Sequence, residues 1–241
     1  MPRIYLPDPI PAHGVLEAPA AAAHHIANVL RLAQGDSLTL FDGRGYEHTA
    51  VIQRISKSGV TLTVADATQV DRESPLRVAL AQGISSGERM DYTVQKSVEL
   101  GVTAIQPLMV ERSVVRLSPE RAAKRVAHWQ AIAVAACEQC GRNVVPEVLP
   151  VKAYTRWLAE VDTRALRLTL SPAASLKLRE LPRPSQAIVL LVGPEGGLAP
   201  RERHDAASAG FTEARLGPRV LRTETAALAA LATMQALWGD F

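Results

Sequence analysis

A chain of 241 residues, 47% hydrophobic and 4% aromatic, is long enough for one large domain or two small ones. No apolar run reaches the length of a helical membrane span, and the start, Met1-Pro2-Arg3-Ile4-Tyr5, has no apolar signal core, so a cytoplasmic location is the expectation. The formal charge of +3 is unevenly spread: residues 1–72 carry 6 Lys and Arg against 7 Asp and Glu, and residues 73–241 carry 21 against 17. That balance permits a polyanionic partner without demanding one, and no dense Lys/Arg run marks a basic tail.

In chain order, residues 1–72 read as a small β-rich unit with one helix. The helix covers 20–32, and Gly35-Asp36 marks the turn after it. Strands follow at 37–42, 46–53 and 59–66, separated by the turn signals Gly43-Arg44-Gly45 and Lys57-Ser58-Gly59. Short strands at this spacing predict a small barrel. The charged run from Val70 to Ser74 ends in Pro75 and reads as a linker. Beyond it, strands at 76–82, 103–110, 165–170, 187–192 and 211–216 alternate with helices at 89–100, 118–141 and 200–209. A last helix starts near Thr223 and is apolar on nearly every face, so it must be buried in the core or against another subunit. The alternation predicts an α/β domain over 73–241 with a mostly parallel sheet. The lone C-x-x-C, Cys137 and Cys140, falls inside the long helix. There a spacing of three places two small side chains on one face, and free Cys commonly packs as a small hydrophobe. A dithiol oxidoreductase is the rival reading of that pair, and no metal site is expected.

Two loops near the C-terminus carry the chemistry. Val192-Gly193-Pro194-Glu195-Gly196-Gly197-Leu198 and Leu216-Gly217-Pro218-Arg219-Val220-Leu221-Arg222-Thr223-Glu224-Thr225-Ala226 each follow a predicted strand and lead into a helix. Ligands of parallel α/β sheets bind at the carboxyl ends of strands. Neither a Gly-Lys-Ser/Thr phosphate loop nor a G-x-G-x-x-G fingerprint is present, so a standard phosphate cradle is not expected. In the second loop, Thr223 as helix cap and Glu224 at the positive end of the helix would account for the acid. They would not account for Arg219 and Arg222, and an arginine pair at a strand end suits a phosphate or a developing oxyanion.

These loops resemble the signature segments of the RsmE family, the small-subunit ribosomal RNA uridine-N3 methyltransferases of the SPOUT superfamily. The resemblance runs through the chain. His25-Ile26, Val29-Leu30-Arg31, Gly35-Asp36 and Phe41-Asp42-Gly43 match at the start, and the middle matches at 95–102 and 136–142. It implies a PUA-like RNA-binding β-barrel over 1–72 followed by a trefoil-knotted α/β methyltransferase domain over 73–241. It implies S-adenosylmethionine as methyl donor, a homodimer with each site near the subunit interface, and a uridine of 16S rRNA in the small ribosomal subunit as target.

The donor carries a sulfonium and a planar adenine but no phosphate, which accounts for glycine loops without a phosphate motif. Its expected walls are Leu191, Val192, Gly193, Pro194, Glu195, Gly196, Gly197 and Leu198 in the first loop. In the second they are Leu216, Gly217, Leu221, Arg222, Thr225 and Ala226, with Leu170-Ser171-Pro172 as a third wall. Uridine N3 must lose its proton to become a nucleophile. Glu224 is the expected base, and Arg222 is expected to stabilise the resulting anion or to grip the adjacent phosphate. RNA contacts are expected from Arg3, Arg31, Arg44, Arg89, Lys96 and Arg142, joined by Gln139 and Arg219. The alternative is a non-catalytic RNA-binding protein that retains the fold.

Overall fold

A computed structural model describes residues 1–114 and 116–241. The chain forms two compact units, Met1–Glu73 with Cys137–Val145, and Ser74–Ala136 with Pro146–Phe241. The linear reading left Cys137–Val145 with the second unit.

The first unit is a five-stranded sheet in the order β1-β3-β4-β5-β2, from β1 (Arg3–Tyr5), β2 (Gly14–Glu17), β3 (Ser37–Phe41), β4 (Tyr46–Ser56) and β5 (Gly59–Gln69). Only β1 and β3 run parallel. The register between β4 and β5 shifts at His48/Ala50 and at Ile52/Arg54, and such irregularities bend a strand pair. His48, Ala50 and Ile52 alternate inward on β4, and Ala50 and Ile52 help form a core with Ile4, Leu38, Leu40, Leu62 and Ile26. β1 and β2 are additions to the three expected strands. Both are four residues or fewer, too short to show a period. The predicted helix 20–32 is instead α1 (Ala20–His24) followed by a π-helical turn, His25–Val29. Arg31 then adopts a left-handed backbone, φ 54°, which stops the helix before Leu32.

The second unit is an all-parallel sheet in the order β12-β10-β11-β6-β7-β8. Its strands are β6 (Val78–Gly83), β7 (Ala104–Met109), β8 (Glu147–Val148), β10 (Leu166–Leu170), β11 (Ile188–Val192) and β12 (Thr212–Ala214), and β9 (Lys152–Ala153) also pairs with β7. Helices α2 (Glu88–Glu99), α3 (Pro119–Cys140), α4 (Tyr154–Glu160), α5 (Pro200–Ser208) and α6 (Thr223–Trp238) lie between or after them. Leu80, Ile188, Leu190 and Leu191 are fully buried, as strands covered on both faces require. The chain builds from β6 through β7 to β8 on one side, while β11, β10 and β12 lie on the other. The β6/β11 junction is therefore a topological switch point, where the carboxyl ends of an open parallel sheet leave a crevice.

Candidate active site

The carboxyl ends of β10, β11 and β12, with the start of α6, surround a cavity of about 550 Å³. That size suits a small-molecule site. Its walls are Leu170–Pro172 after β10, Val192–Leu198 after β11, and Ala214–Gly217 with Arg219–Glu224 and Ala226 after β12. These are the three expected walls. Two residues expected on them lie elsewhere. Leu191 is fully buried in the sheet, where its carbonyl accepts a hydrogen bond from Thr169 Oγ1 at 3.1 Å. Thr225 lines a neighbouring cavity instead.

The first loop owes its shape to close packing of backbone on backbone. Gly197 N–H donates to Pro194 O at 2.8 Å, closing a turn centred on Glu195 and Gly196, and the chain leaves it through the positive φ of Gly197, +65°. A Cβ on Gly193 would lie 2.8 Å from the Gly197 carbonyl carbon, so this glycine is required by the loop folding onto itself. Gly83, at the end of β6, is equally constrained, since a Cβ there would lie 2.6 Å from Pro194 Cδ. Gly217 differs, with no heavy atom within 4 Å of where its Cβ would stand.

Beneath the loops lies Gln82, fully buried. Its amide Nε2 donates to Thr223 Oγ1 at 3.0 Å and approaches Gly193 O at 3.3 Å, and Thr223 Oγ1 donates to Gly193 O at 2.5 Å. These bonds tie β6, the first loop and the start of α6 together. The expected cap therefore works differently. Thr223 is the first helical residue, Arg222 holds the N-cap position with extended backbone, and no side chain caps the helix. The Thr223 hydroxyl points across to the other loop.

Glu195 is expected as a wall, and its carboxylate turns toward α2. It accepts from Ser86 N–H at 2.9 Å, Ser86 Oγ at 2.8 Å and Arg89 Nη1 at 2.9 Å. Burial alone would raise its pKa, but these bonds outweigh it and hold the carboxyl at about 2. Arg89, expected on RNA, lines the cavity between two acids, with its Nε 4.0 Å from Glu224 Oε1. The Glu224 side chain is 15% exposed, and its Oε2 is buried without a hydrogen-bond partner. A buried carboxylate oxygen left unpaired is costly. Arg222 and Arg219 line the same cavity and are exposed.

Opposite them stands a set that sequence reasoning missed. Arg203 binds both oxygens of Glu213, at 2.9 and 3.0 Å, and reaches Ser171 Oγ at 3.3 Å. Arg112 donates to Gly196 O at 3.0 Å. No local signal marks these residues, because Glu213 reaches Ser171 only through the non-sequential pairing of β12 with β10.

The remaining expected RNA contacts fall into two groups. Arg31, Arg44 and Gln139 are exposed, and Lys96 pairs with Glu99 at 2.8 Å. Arg3 and Arg142 are instead held inside the first unit. Arg3 Nη1 binds Glu47 Oε1 at 2.5 Å, its Nη2 binds Asn143 Oδ1 at 2.5 Å, and its guanidinium stacks 4.8 Å over the Phe41 ring. Arg142 is 5% exposed, with Nε at 2.9 Å and Nη2 at 2.5 Å from Glu73 Oε2. Cys137 and Cys140 are free thiols, and burial pushes Cys137 up to about 12, the opposite of a redox-active thiol. Among the described residues no His/Cys/Asp/Glu group could hold a metal ion, and no helix is long and apolar enough to cross a membrane.

The chain matches family models described as an RNA methyltransferase domain over residues 72–235 and an RNA methyltransferase PUA domain over 19–65. It is 34% identical over 240 residues to a ribosomal RNA small subunit methyltransferase E from Buchnera aphidicola subsp. Schizaphis graminum, covering 100% of this chain and 98% of that protein. Among solved structures it is similar to a ribosomal RNA small subunit methyltransferase E from Neisseria gonorrhoeae bound to S-adenosyl methionine. The identity is 48% and the TM-score 0.93, over 100% of this chain and 99% of that one. It is also similar to a putative methyltransferase from Legionella pneumophila in complex with the bound cofactor SAM, at 44% identity and TM-score 0.95, over 99% of this chain and 98% of that one. An α/β parallel sheet with loops walling a cleft, a PUA domain before it and likeness along the whole chain converge: the chain belongs to the ribosomal RNA small subunit methyltransferase E family of RNA methyltransferases.

Proposed function

We infer that this chain is an S-adenosylmethionine-dependent methyltransferase of 16S rRNA that modifies N3 of a uridine in the small ribosomal subunit. The observation that carries the reading is Glu224, a carboxylate on the cleft wall with one buried oxygen that no protein group satisfies. The cleft suits the donor. The open space beside Gly217 and the backbone of the first loop can admit a planar adenine edge, and the cavity holds both cationic and acidic side chains for a zwitterionic tail. When bound, the donor supplies an electrophilic methyl group on a sulfonium. Leu170–Pro172, Val192–Leu198 and Leu216–Leu221 would hold it.

Glu224 Oε2 would accept the uridine N3 proton and leave the ring nitrogen as the nucleophile for the methyl group that the bound donor would give up from sulfur, departing as the thioether. Arg222 and Arg89 are the cations near that carboxylate that can stabilise charge on the ring carbonyl oxygens. The reading includes a trefoil knot and a cytoplasmic homodimer. Leu237 on α6 and Val220 in the second loop, 44% and 80% exposed, favour a second copy over solvent.

The test incubates the protein and labelled donor with small subunits lacking the modification, and locates the methyl group by mass spectrometry. A methyl group at uridine N3 is expected. One at carbon C5, on a ribose oxygen or on another base overturns the assignment. Glu224→Gln is expected to lower transfer at neutral pH by about 100-fold or more, while donor binding measured by calorimetry persists.

A further inference from the structure

A second cavity, of about 560 Å³, is lined by residues of α2, α3 and α6. Arg89 and Glu224 line both cavities, so the two meet at that pair. The second is lined further by Tyr92, Gln95 and Ile132. Tyr92 is 50% exposed, although Met90, Val94 and Val98 of the same helix are buried. Among the described residues no side-chain hydrogen bond engages Tyr92 or Gln95. Asp91 also borders the cavity, but its oxygens are engaged by His128 Nε2 at 2.9 Å and Trp129 Nε1 at 3.0 Å.

The pairing edge of uracil presents a carbonyl acceptor, the N3–H donor and a second carbonyl acceptor. Its complement is one acceptor flanked by donors. The residues lining the second cavity include that set: the Glu224 carboxylate, the Arg89 guanidinium, which also holds Glu195, and the Gln95 amide. An exposed tyrosine ring beside them offers a face on which a base extruded from RNA can stack. Cytosine shares the O2 carbonyl, but its N3 lone pair would face the carboxylate and its amino group a donor, and two such mismatches discriminate strongly.

We propose that this second cavity seats the target nucleobase. Tyr92 is the stacking platform, Gln95 and Arg89 donate to the uracil carbonyl oxygens, and Glu224 accepts the N3 proton. Methyl donor and base thus occupy adjoining cavities that share one acid–arginine pair. The proposal rests on the uridine-N3 reading above, and it adds the residues that select uracil.

Two measurements test it. In the first, small subunits carrying 4-thiouridine at the target are irradiated with the protein in the absence of donor, and the crosslinked peptide is sequenced. A crosslink within α2 is expected, and one mapped outside the residues lining this cavity overturns the proposal. In the second, Tyr92→Ala and Gln95→Ala are compared with the unaltered protein. Methyl transfer is expected to fall about 10- to 100-fold for each, the range of a lost base stack or base-edge bond. Calorimetric affinity for S-adenosylmethionine is expected to stay within about twofold, and Tyr92→Phe to regain most of the lost transfer. Unimpaired transfer by Tyr92→Ala overturns the proposal, and so does loss of donor binding, which would make Tyr92 a packing residue. If unaltered protein crosslinks through α2 but methylates an atom other than N3, the uridine-N3 reading fails while the seat for the base stands.

Discussion

At the scale of single residues, the two acids of the cleft do different work, and their hydrogen bonds separate them. Glu224 has one oxygen without a hydrogen-bond partner among the described residues, whereas Glu195 is used inside the protein, fastening the first loop to Ser86 and Arg89. Its pKa, held near 2 against an ordinary 4.5, lies below the unfolded value. The stabilisation it gives is therefore complete above about pH 4.5 and fades as the pH falls toward 2. Glu195→Gln keeps the size of the side chain but loses the charge that strengthens three bonds. With a partly exposed carboxylate the expected loss at pH 7 is about 1 kcal/mol. Thermal unfolding should show unaltered protein more stable than the variant at pH 7, with the gap closing as the pH approaches 2. A gap that persists undiminished at the acid end would mean the carboxylate charge is not what holds the loop.

At the scale of elements, the switch point is built by Gln82, Gly83 and Thr223, and none of the three touches solvent freely. Gln82→Leu fills the space but removes the donor bridging Thr223 and Gly193, leaving only the Thr223–Gly193 bond to join the first loop to α6. A loss of about 2 kcal/mol is expected, together with weaker donor binding as the loops separate. Gly83→Ala drives a Cβ against the Pro194 ring and backbone nitrogen, 2.6 and 2.8 Å away, and should cost about 2 kcal/mol or more. Chemical denaturation reads both, and a Gly83→Ala protein as stable as the parent would contradict the packing described here. The long strands and helices were legible in the sequence, because Ile188–Val192 or Glu88–Glu99 is long enough to show its period and its stop signals. The two main cleft loops were legible for a related reason, as strand ends punctuated by glycine. Gln82 was not, since a buried glutamine ending an apolar strand looks the same whether it bonds to a distant loop or faces water. Arg203 and Glu213 were hidden by strand order, and β1, β2, β8 and β9 by their length. The helix over 20–32 gives way to a π-helical turn at His25–Val29 and cannot continue through Arg31. A left-handed arginine leaves no mark in the sequence, unlike the glycines that usually supply that conformation.

At the scale of the whole molecule, the arginines divide between those held by acids within the protein and those left exposed, and the net charge of +3 conceals that division. In the first unit, Glu47 accepts from Arg3, Arg72 and Asn143, and these bonds outweigh burial to keep its pKa below the ordinary value. Arg142 fixes the segment after α3 through Glu73. A charge used in this way is already neutralised, so it releases few counterions from RNA. Arg31 and Arg44 are exposed, and the nearest acid to Arg44, Asp42, stands 3.8 Å away. The two classes should respond oppositely to alanine. Arg31→Ala and Arg44→Ala should weaken binding to small subunits and each reduce the slope of log affinity against log salt by about 1, with little change in unfolding temperature. Arg3→Ala and Arg142→Ala should leave the slope nearly unchanged and lower stability, Arg142→Ala by about 2 kcal/mol because it strands the partly buried Glu73 carboxylate, and Arg3→Ala by about 1 kcal/mol because Glu47 keeps Arg72 and Asn143. Filter binding across a salt series, run beside thermal unfolding of the same four variants, measures both quantities. A slope reduced by Arg142→Ala at undiminished stability would show that the buried arginine reaches RNA after all, and that the division drawn from exposure does not hold.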